Sequence, residues 1–249
     1  MNAPVPVIAL DHPAALDVAR VGRTAAALAA ARGAGLPVRG GVVLTTQWDH
    51  HDTATALAVW RIISQDGAIA LAVRPSSLHR ERSGDGSTPM PVRIVEDAAA
   101  LLDAAVAIRR QGGWRVPVLV HPHLDGPWHG ELFADGSRVN RPVVVARRRS
   151  GDDWVAELDA AGRIRDVYSA ARPGEDLDHP PVEVLARIAR LAERVADRFD
   201  GPHDLEWLVD DAGRAHLLRL LPVARLHAAD LPVAAPVGAD DDPRTMAAA

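Results

Sequence analysis

The sequence predicts an α+β protein built as two lobes. Three observations carry that expectation. Up to about residue 112, amphipathic helical stretches alternate with short apolar runs. From Val116 the character changes to short strands separated by turn signals. A long amphipathic helix and a closing hairpin then follow. The expected division is a tail over 1–13, an N-terminal lobe over 14–112, a C-terminal lobe over 113–226 and a disordered tail over 227–249.

Taken in order, residues 1–12 read as a short tail or an added strand from Val5 to Leu10. A helix is expected from about Pro13 and another from Arg23 to Ala31, stopped by Gly33 and Gly35. Val38 to Thr45 reads as a strand broken at Gly40-Gly41, and Thr53 to Ile63 as a helix. Ala68 to Arg74 is a nearly continuous apolar run, the pattern of a buried strand. Pro75 to Pro91 is polar and rich in Gly and Pro, which predicts a mobile loop. Glu96 to Arg110 carries Leu101, Ala104, Ala105 and Ile108 on one helical face. Strands are expected at 116–121, 128–133, 142–147, 154–158 and 164–168, with turns at Asp135-Gly136, Gly151-Asp152 and Ala161-Gly162. Pro180-Pro181 suit a first helical turn, and Leu185, Ile188, Ala192, Val195 and Phe199 form the stripe of the helix they open. Asp204 to Val209 and Ala215 to Leu221 then read as a hairpin.

Composition excludes several function classes. Apolar residues make up 48% and charged residues 24%, ordinary for a globular protein. A net charge of −5 gives no footprint of a nucleic-acid binder. With no cysteine, disulfides, thiolate metal sites and cysteine nucleophiles are excluded. No run approaches the ~20 apolar residues of a membrane span, and the first residues lack a signal-peptide pattern, so a cytoplasmic location is expected. All 28 basic residues are arginine. Arginine-rich, GC-biased codon usage accounts for most of that, but a planar fork does not replace a lysine at a site where geometry matters. The histidines His50, His51, His79, His121, His123 and His129 invite a metal reading, yet no carboxylate or third histidine stands at a convincing spacing along the chain.

Four segments carry a family resemblance. Val21-Gly22-Arg23-Thr24-Ala25-Ala26-Ala27-Leu28, with Ala34-Gly35-Leu36-Pro37-Val38 and Gly41 to Thr46, is similar to V-G-G-K-G-A-N-L…A-G-L-P-V-P-P-G-F-V-L-T-T. Ala72-Val73-Arg74-Pro75-Ser76-Ser77 is similar to V-A-V-R-S-S-A. Val118 to Leu124 with Gly130-Glu131-Leu132-Phe133 is similar to V-V-V-Q-x-M-V…S-G-V-L-F-T. Gly201-Pro202-His203-Asp204-Leu205-Glu206-Trp207, with Leu217 to Val223, is similar to G-P-Q-D-I-E-W-A…L-Y-I-L-Q-S-R-P-I. In this order the segments resemble the N-terminal ATP-grasp domain of the phosphoenolpyruvate synthase, pyruvate phosphate dikinase and rifampicin phosphotransferase family, over residues 14–226.

The resemblance implies ATP held between two lobes, a lysine and an arginine on its phosphates, and Mg²⁺ on acidic or amide residues late in the domain. It places Arg74 on phosphate, Glu206 on Mg²⁺ and His121 at the adenine-side glutamine. Departures accompany these matches. Thr24 stands for the lysine, Arg23 for a glycine, Arg219 for a glutamine and Leu221 for an arginine. The family's S-F-A-G-Q loop has no counterpart between Leu78 and Val92, nor has the glycine-rich segment at Arg147-Arg148-Arg149-Ser150-Gly151-Asp152. The implied function is a stand-alone ATP-grasp nucleotide-binding module with weak or absent kinase activity. It would work with a separate phosphohistidine or catalytic partner, because the family's phosphohistidine domain has no counterpart in these residues. The alternatives are a non-catalytic pseudoenzyme serving as a binding or scaffolding subunit, and a cleft in which Arg23, Arg74 and Arg219 take another small anion without metal.

Overall fold

A computed structural model of the chain describes residues 5–76, 92–134, 142–149, 153–159, 163–169 and 180–223. Residues 77–91 of the loop expected at 75–91, the three expected turns after residue 134 and the expected disordered tail lie outside the described residues, and Pro75 closes a strand instead. Among the described residues, two antiparallel sheets, four α-helices and one 3-10 helix form an α+β architecture.

The first sheet has the order β1 (Val7–Ala9), β2 (Val42–Leu44), β5 (Val118–Pro122), β3 (Leu71–Pro75), β4 (Arg93–Val95). Two helices cover one of its faces: α2 (Thr53–Ser64) and α3 (Ala98–Gly112). Each begins where an aspartate accepts from the third residue onward, Asp52 from the Thr55 amide at 3.0 Å and Asp97 from the Ala100 amide at 2.7 Å. Such a cap contributes about 1 kcal/mol. Strand parity does the rest. Leu71 and Val73 of β3, and Val118 and Val120 of β5, join Leu101, Ala105 and Ile108 in the core beneath the helices. Ala72, Arg74 and His121 therefore project from the opposite face.

The second sheet runs β11 (Ala215–Pro222), β10 (His203–Val209), β6 (Trp128–Phe133), β7 (Val143–Arg148), β8 (Asp153–Leu158), β9 (Ile164–Ser169). Helix α4 (Val182–Ala196) lays Leu185, Ile188 and Val195 against Leu205 and Trp207 of β10 and their neighbours. With Leu205 and Trp207 at 2% and 0% exposure, the alternate residues Asp204, Glu206 and Leu208 must face away from that core.

Two segments cross the division expected between residues 112 and 113. Strand β5 hydrogen-bonds between β2 and β3 of the first sheet. Helix α1 (Val18–Gly33) buries Val21, Ala25 and Leu28 in the core of the second sheet, although it precedes the first sheet in the chain. The Leu217 amide donates to the Pro37 carbonyl at 2.9 Å, which fixes the chain after α1 to β11. Val43 and Leu119 of the first sheet enter the same core, so α1 is a shared wall between the lobes.

Of the two helices expected around residues 13–31, the first is a four-residue 3-10 helix at Pro13–Leu16; the second begins at Arg23 as expected, joined through a kink at Gly22 to a short helical turn that starts at Val18. Gly22 has φ +77° and ψ 168°, a conformation open to glycine alone. The break brings the chain against Ser76, whose Oγ accepts from the Ala25 amide at 2.9 Å in a buried setting. The first and second resembling segments thus meet at Gly22 and Ser76. Among the remaining elements, β2 is shorter than expected because the Pro37–Gly41 stretch stays outside the ladder, and β4 is a strand that sequence patterning did not mark.

Candidate functional site

The free faces of the two sheets look at each other across a cleft. Its walls enclose a cavity of about 270 Å³. Apolar side chains from both sheets line part of it, among them Ala72 and Ile94 from the first, and Leu208 and Leu218 from the second. Arg74, His121 and Glu206 supply polar groups.

Arg74 spans the cleft. It is 7% exposed, so its guanidinium does not reach outward to water. Its Nη2 donates to Glu206 Oε2 at 2.7 Å and its Nη1 to the Leu218 carbonyl at 3.1 Å. One arginine of the first sheet therefore holds two adjacent strands of the second.

Glu206 has a second acidic neighbour. In register across β10 and β6 it stands opposite Glu131. Like charges placed so oppose the pairing unless each finds a counter-ion. Each does: Arg74 for Glu206 at 2.7 Å, and Arg147 for Glu131 at 3.6 Å. On the other side, Glu206 stands opposite Arg219 of β11, where the ladder register shifts between Glu206 and Trp207. Burial first, and the charge of Arg74 second, push the Arg219 guanidinium down to about 10. Two arginines thus crowd one carboxylate.

His121 lies opposite Ala72 across β5 and β3 and is 9% exposed. Its Nδ1 stands 2.9 Å from the Pro122 carbonyl, a geometry that assigns the proton to Nδ1 and makes Nε2 an acceptor. Nε2 is buried with no protein hydrogen-bond partner. Burial, helped by Arg74, pushes the imidazole down to about 4, so the ring is neutral at pH 7. The sign of the linkage follows. The unfolded imidazole takes a proton near pH 6.5 and the folded one resists to about 4. Stability on this account is complete above pH 6.5 and falls by on the order of 3 kcal/mol as pH drops to about 4. Urea unfolding at pH 7.5 and 4.5 should show that loss in the wild type and a clearly smaller loss in His121→Gln.

The other sequence-predicted residues are placed differently. Arg23 is exposed on the first turn after the Gly22 break, and Thr24 beside it is 2% exposed. Among the described residues, neither lines the cavity. Asp204 accepts from the Ala134 amide at 3.0 Å through Oδ1.

Sequence reasoning gave no role to Asp125, Arg149 and Ser76. Asp125 and Arg149 form an ion pair in the cavity wall. Ser76 sits inside a recognised motif, which was the available signal; the pairing of Asp125 with Arg149 has none.

Mg²⁺ does not fit this arrangement. Two opposed carboxylates are the right donor type for a hard cation. Both, however, are neutralised by arginines, and Arg219 adds a further positive charge beside Glu206. The polar groups the wall does hold are the arginine fork of Arg74 and, buried beside it, the unpartnered Nε2 of His121.

No family model and no curated protein matches the sequence. Solved structures do. The Campylobacter jejuni biotin carboxylase–βγ-ATP complex matches at 14% identity and a TM-score of 0.45, over 82% of this chain and 41% of that one. The Bacillus anthracis D-alanine–D-alanine ligase matches at 16% and 0.44, over 81% and 56%. The Coxiella burnetii D-alanine–D-alanine ligase matches at 14% and 0.42, over 77% and 44%. The chain spans about half the length of these proteins.

Proposed function

We propose that the chain is an ATP-grasp nucleotide-binding module of the phosphoenolpyruvate synthase type, with weak or absent phosphoryl transfer. The observation that carries this reading is the ion pair between Arg74 and Glu206 across the cleft. These are the two residues that the family resemblance assigns to phosphate and to metal, and they lie 132 positions apart in the chain. The fold brings them together, as a nucleotide cleft requires. Their pairing withdraws the carboxylate from Mg²⁺.

Phosphoryl transfer depends on charge neutralisation and positioning. Here the lysine position holds the buried Thr24, and the glutamine position holds Arg219. Losing one preorganised charge donor typically lowers a rate by about 10²–10³. Binding is less affected. Arg74 can exchange Glu206 for a phosphate, the apolar walls can cover a purine, and a ligand amino group can satisfy His121 Nε2. Any onward transfer would need a phosphohistidine domain.

A second reading, a scaffold that binds no nucleotide, is favoured by the closure of Arg74 onto Glu206 and Leu218, which ties the two sheets without a ligand. Thermal denaturation separates the two. With millimolar ATP the melting temperature should rise, while release of the γ-phosphate stays at the level of buffer. No shift with ATP, ADP or AMP would leave the scaffold. Rapid Mg²⁺-dependent turnover would overturn the claim of a weakened site.

A further inference from the structure

We propose that Asp49, His50 and His51 form a surface site for a transition-metal dication of the zinc or nickel class, separate from the cleft. Along the chain these three residues look like an ordinary polar loop between β2 and α2. In space they offer one ligand atom each, all within 4.8 Å of one another. His50 Nδ1 lies 3.6 Å from Asp49 Oδ1. Two ligands of a tetrahedral zinc at ~2.0–2.1 Å are separated by about 3.3 Å, so small side-chain rotations complete the chelate. Two imidazoles with one carboxylate and no thiolate suit zinc or nickel rather than magnesium or calcium.

The loop is held from below. Arg109 is 2% exposed, donates through Nη1 to the Trp48 carbonyl and through Nη2 to the Thr45 carbonyl, both at 2.5 Å, and lies 4.8 Å over the Trp48 ring. On the other side, Asp52 caps α2. Between these anchors the His51 amide donates to Asp49 Oδ1 at 2.9 Å, which fixes the carboxylate that His50 faces. The His50 ring centroid is 3.9 Å from that of His51 and 4.5 Å from that of Trp114. A backbone fixed at both ends lowers the entropy lost on chelation. Asp49 and His51 are exposed and His50 is half-buried, so remaining coordination positions open to water or to a ligand from outside.

Trp114, 49% exposed, makes the site self-reporting. The test uses the full, tag-free chain stripped with EDTA and titrated with nickel or zinc chloride at pH 7.5. One equivalent of metal should bind by calorimetry, and nickel should quench tryptophan emission. Affinity should fall at least about tenfold in His50→Ala and in His51→Ala. In Trp114→Phe most of the quenching should vanish while calorimetric binding persists. Absence of saturable binding overturns the proposal. So does binding that both histidine variants retain at wild-type strength, since the metal would then sit elsewhere. Because these variants lie outside the cleft, the ATP-induced rise in melting temperature should be the same in them as in the wild type.

Discussion

Gly22→Ala should destabilise the protein by about 3–5 kcal/mol. Two costs add. Gly22 has φ +77° and ψ 168°, a region that a side-chain-bearing residue occupies only with about 1–3 kcal/mol of strain. A methyl group there would also stand 1.9 Å from the Ser76 carbonyl oxygen and 2.5 Å from its Oγ. Backbone cannot swing aside as a flexible side chain can, and displacements of this kind cost about 1–3 kcal/mol more. Ser76 is itself engaged, its amide with the Pro117 carbonyl at 2.8 Å and its Oγ with the Ala25 amide. Moving it would pull on β3 just beyond Arg74. Gly33→Ala is the matched control: it lies in the last turn of the same helix, with nothing within 4 Å of the added methyl. Urea denaturation should show a large loss for the first and little change or a slight gain for the second. Equal effects would mean that the contact between Gly22 and Ser76 does not organise the joint.

Arg74→Ala should weaken ATP binding by about 10–100-fold. Hydrogen bonds to a charged group contribute about 1.5–3 kcal/mol, and each 1.4 kcal/mol is a factor of ten. Arg74→Lys keeps the charge but not the fork, and should recover only part of the loss. Folding and binding separate in this variant. The carboxylate left behind is 29% exposed and still has Arg219 opposite it, so it is not stranded in an apolar interior. A cooperative melting transition for Arg74→Ala, together with lost ATP affinity in calorimetry, is the expected pair of results. Unchanged affinity would place the nucleotide elsewhere.

The helices were legible because their apolar stripes repeat at the helical period; the aspartates that cap two of them, Asp52 and Asp97, came from the structure. The alternation of Leu205 and Trp207 with Asp204 and Glu206 likewise told which side of β10 meets the core. What local pattern could not carry was the assignment of elements to sheets. Strand β5 resembles its neighbours in the second half of the chain, yet its partners are β2 and β3, and only tertiary pairing decides that. The helix expected from Arg23 does begin there, after the non-helical Gly22; what the pattern did not mark is the short helical turn at 18–21 on the other side of the kink.

In the site, the resemblance named Arg74, His121, Glu206 and Arg219, but not their relation. That Arg74 closes on Glu206 depends on the approach of two sheets, and that Arg147 answers Glu131 depends on the pairing of β6 with β7. The case of Asp49, His50 and His51 is similar. Spacing along the chain argued against a chelate, whereas the turn brings the three donors round to one point.

Calorimetric titration of ATP into the wild-type chain, once with excess Mg²⁺ and once with EDTA, tests the central claim most directly. If arginines have captured Glu206 and Glu131, ATP binds saturably in both solutions with similar affinity, because no metal is needed to bridge the phosphates to the protein. Binding that appears only with Mg²⁺ would contradict this, since it would mean that Glu206 releases Arg74 to hold the ion. Binding in neither solution would contradict the nucleotide cleft itself.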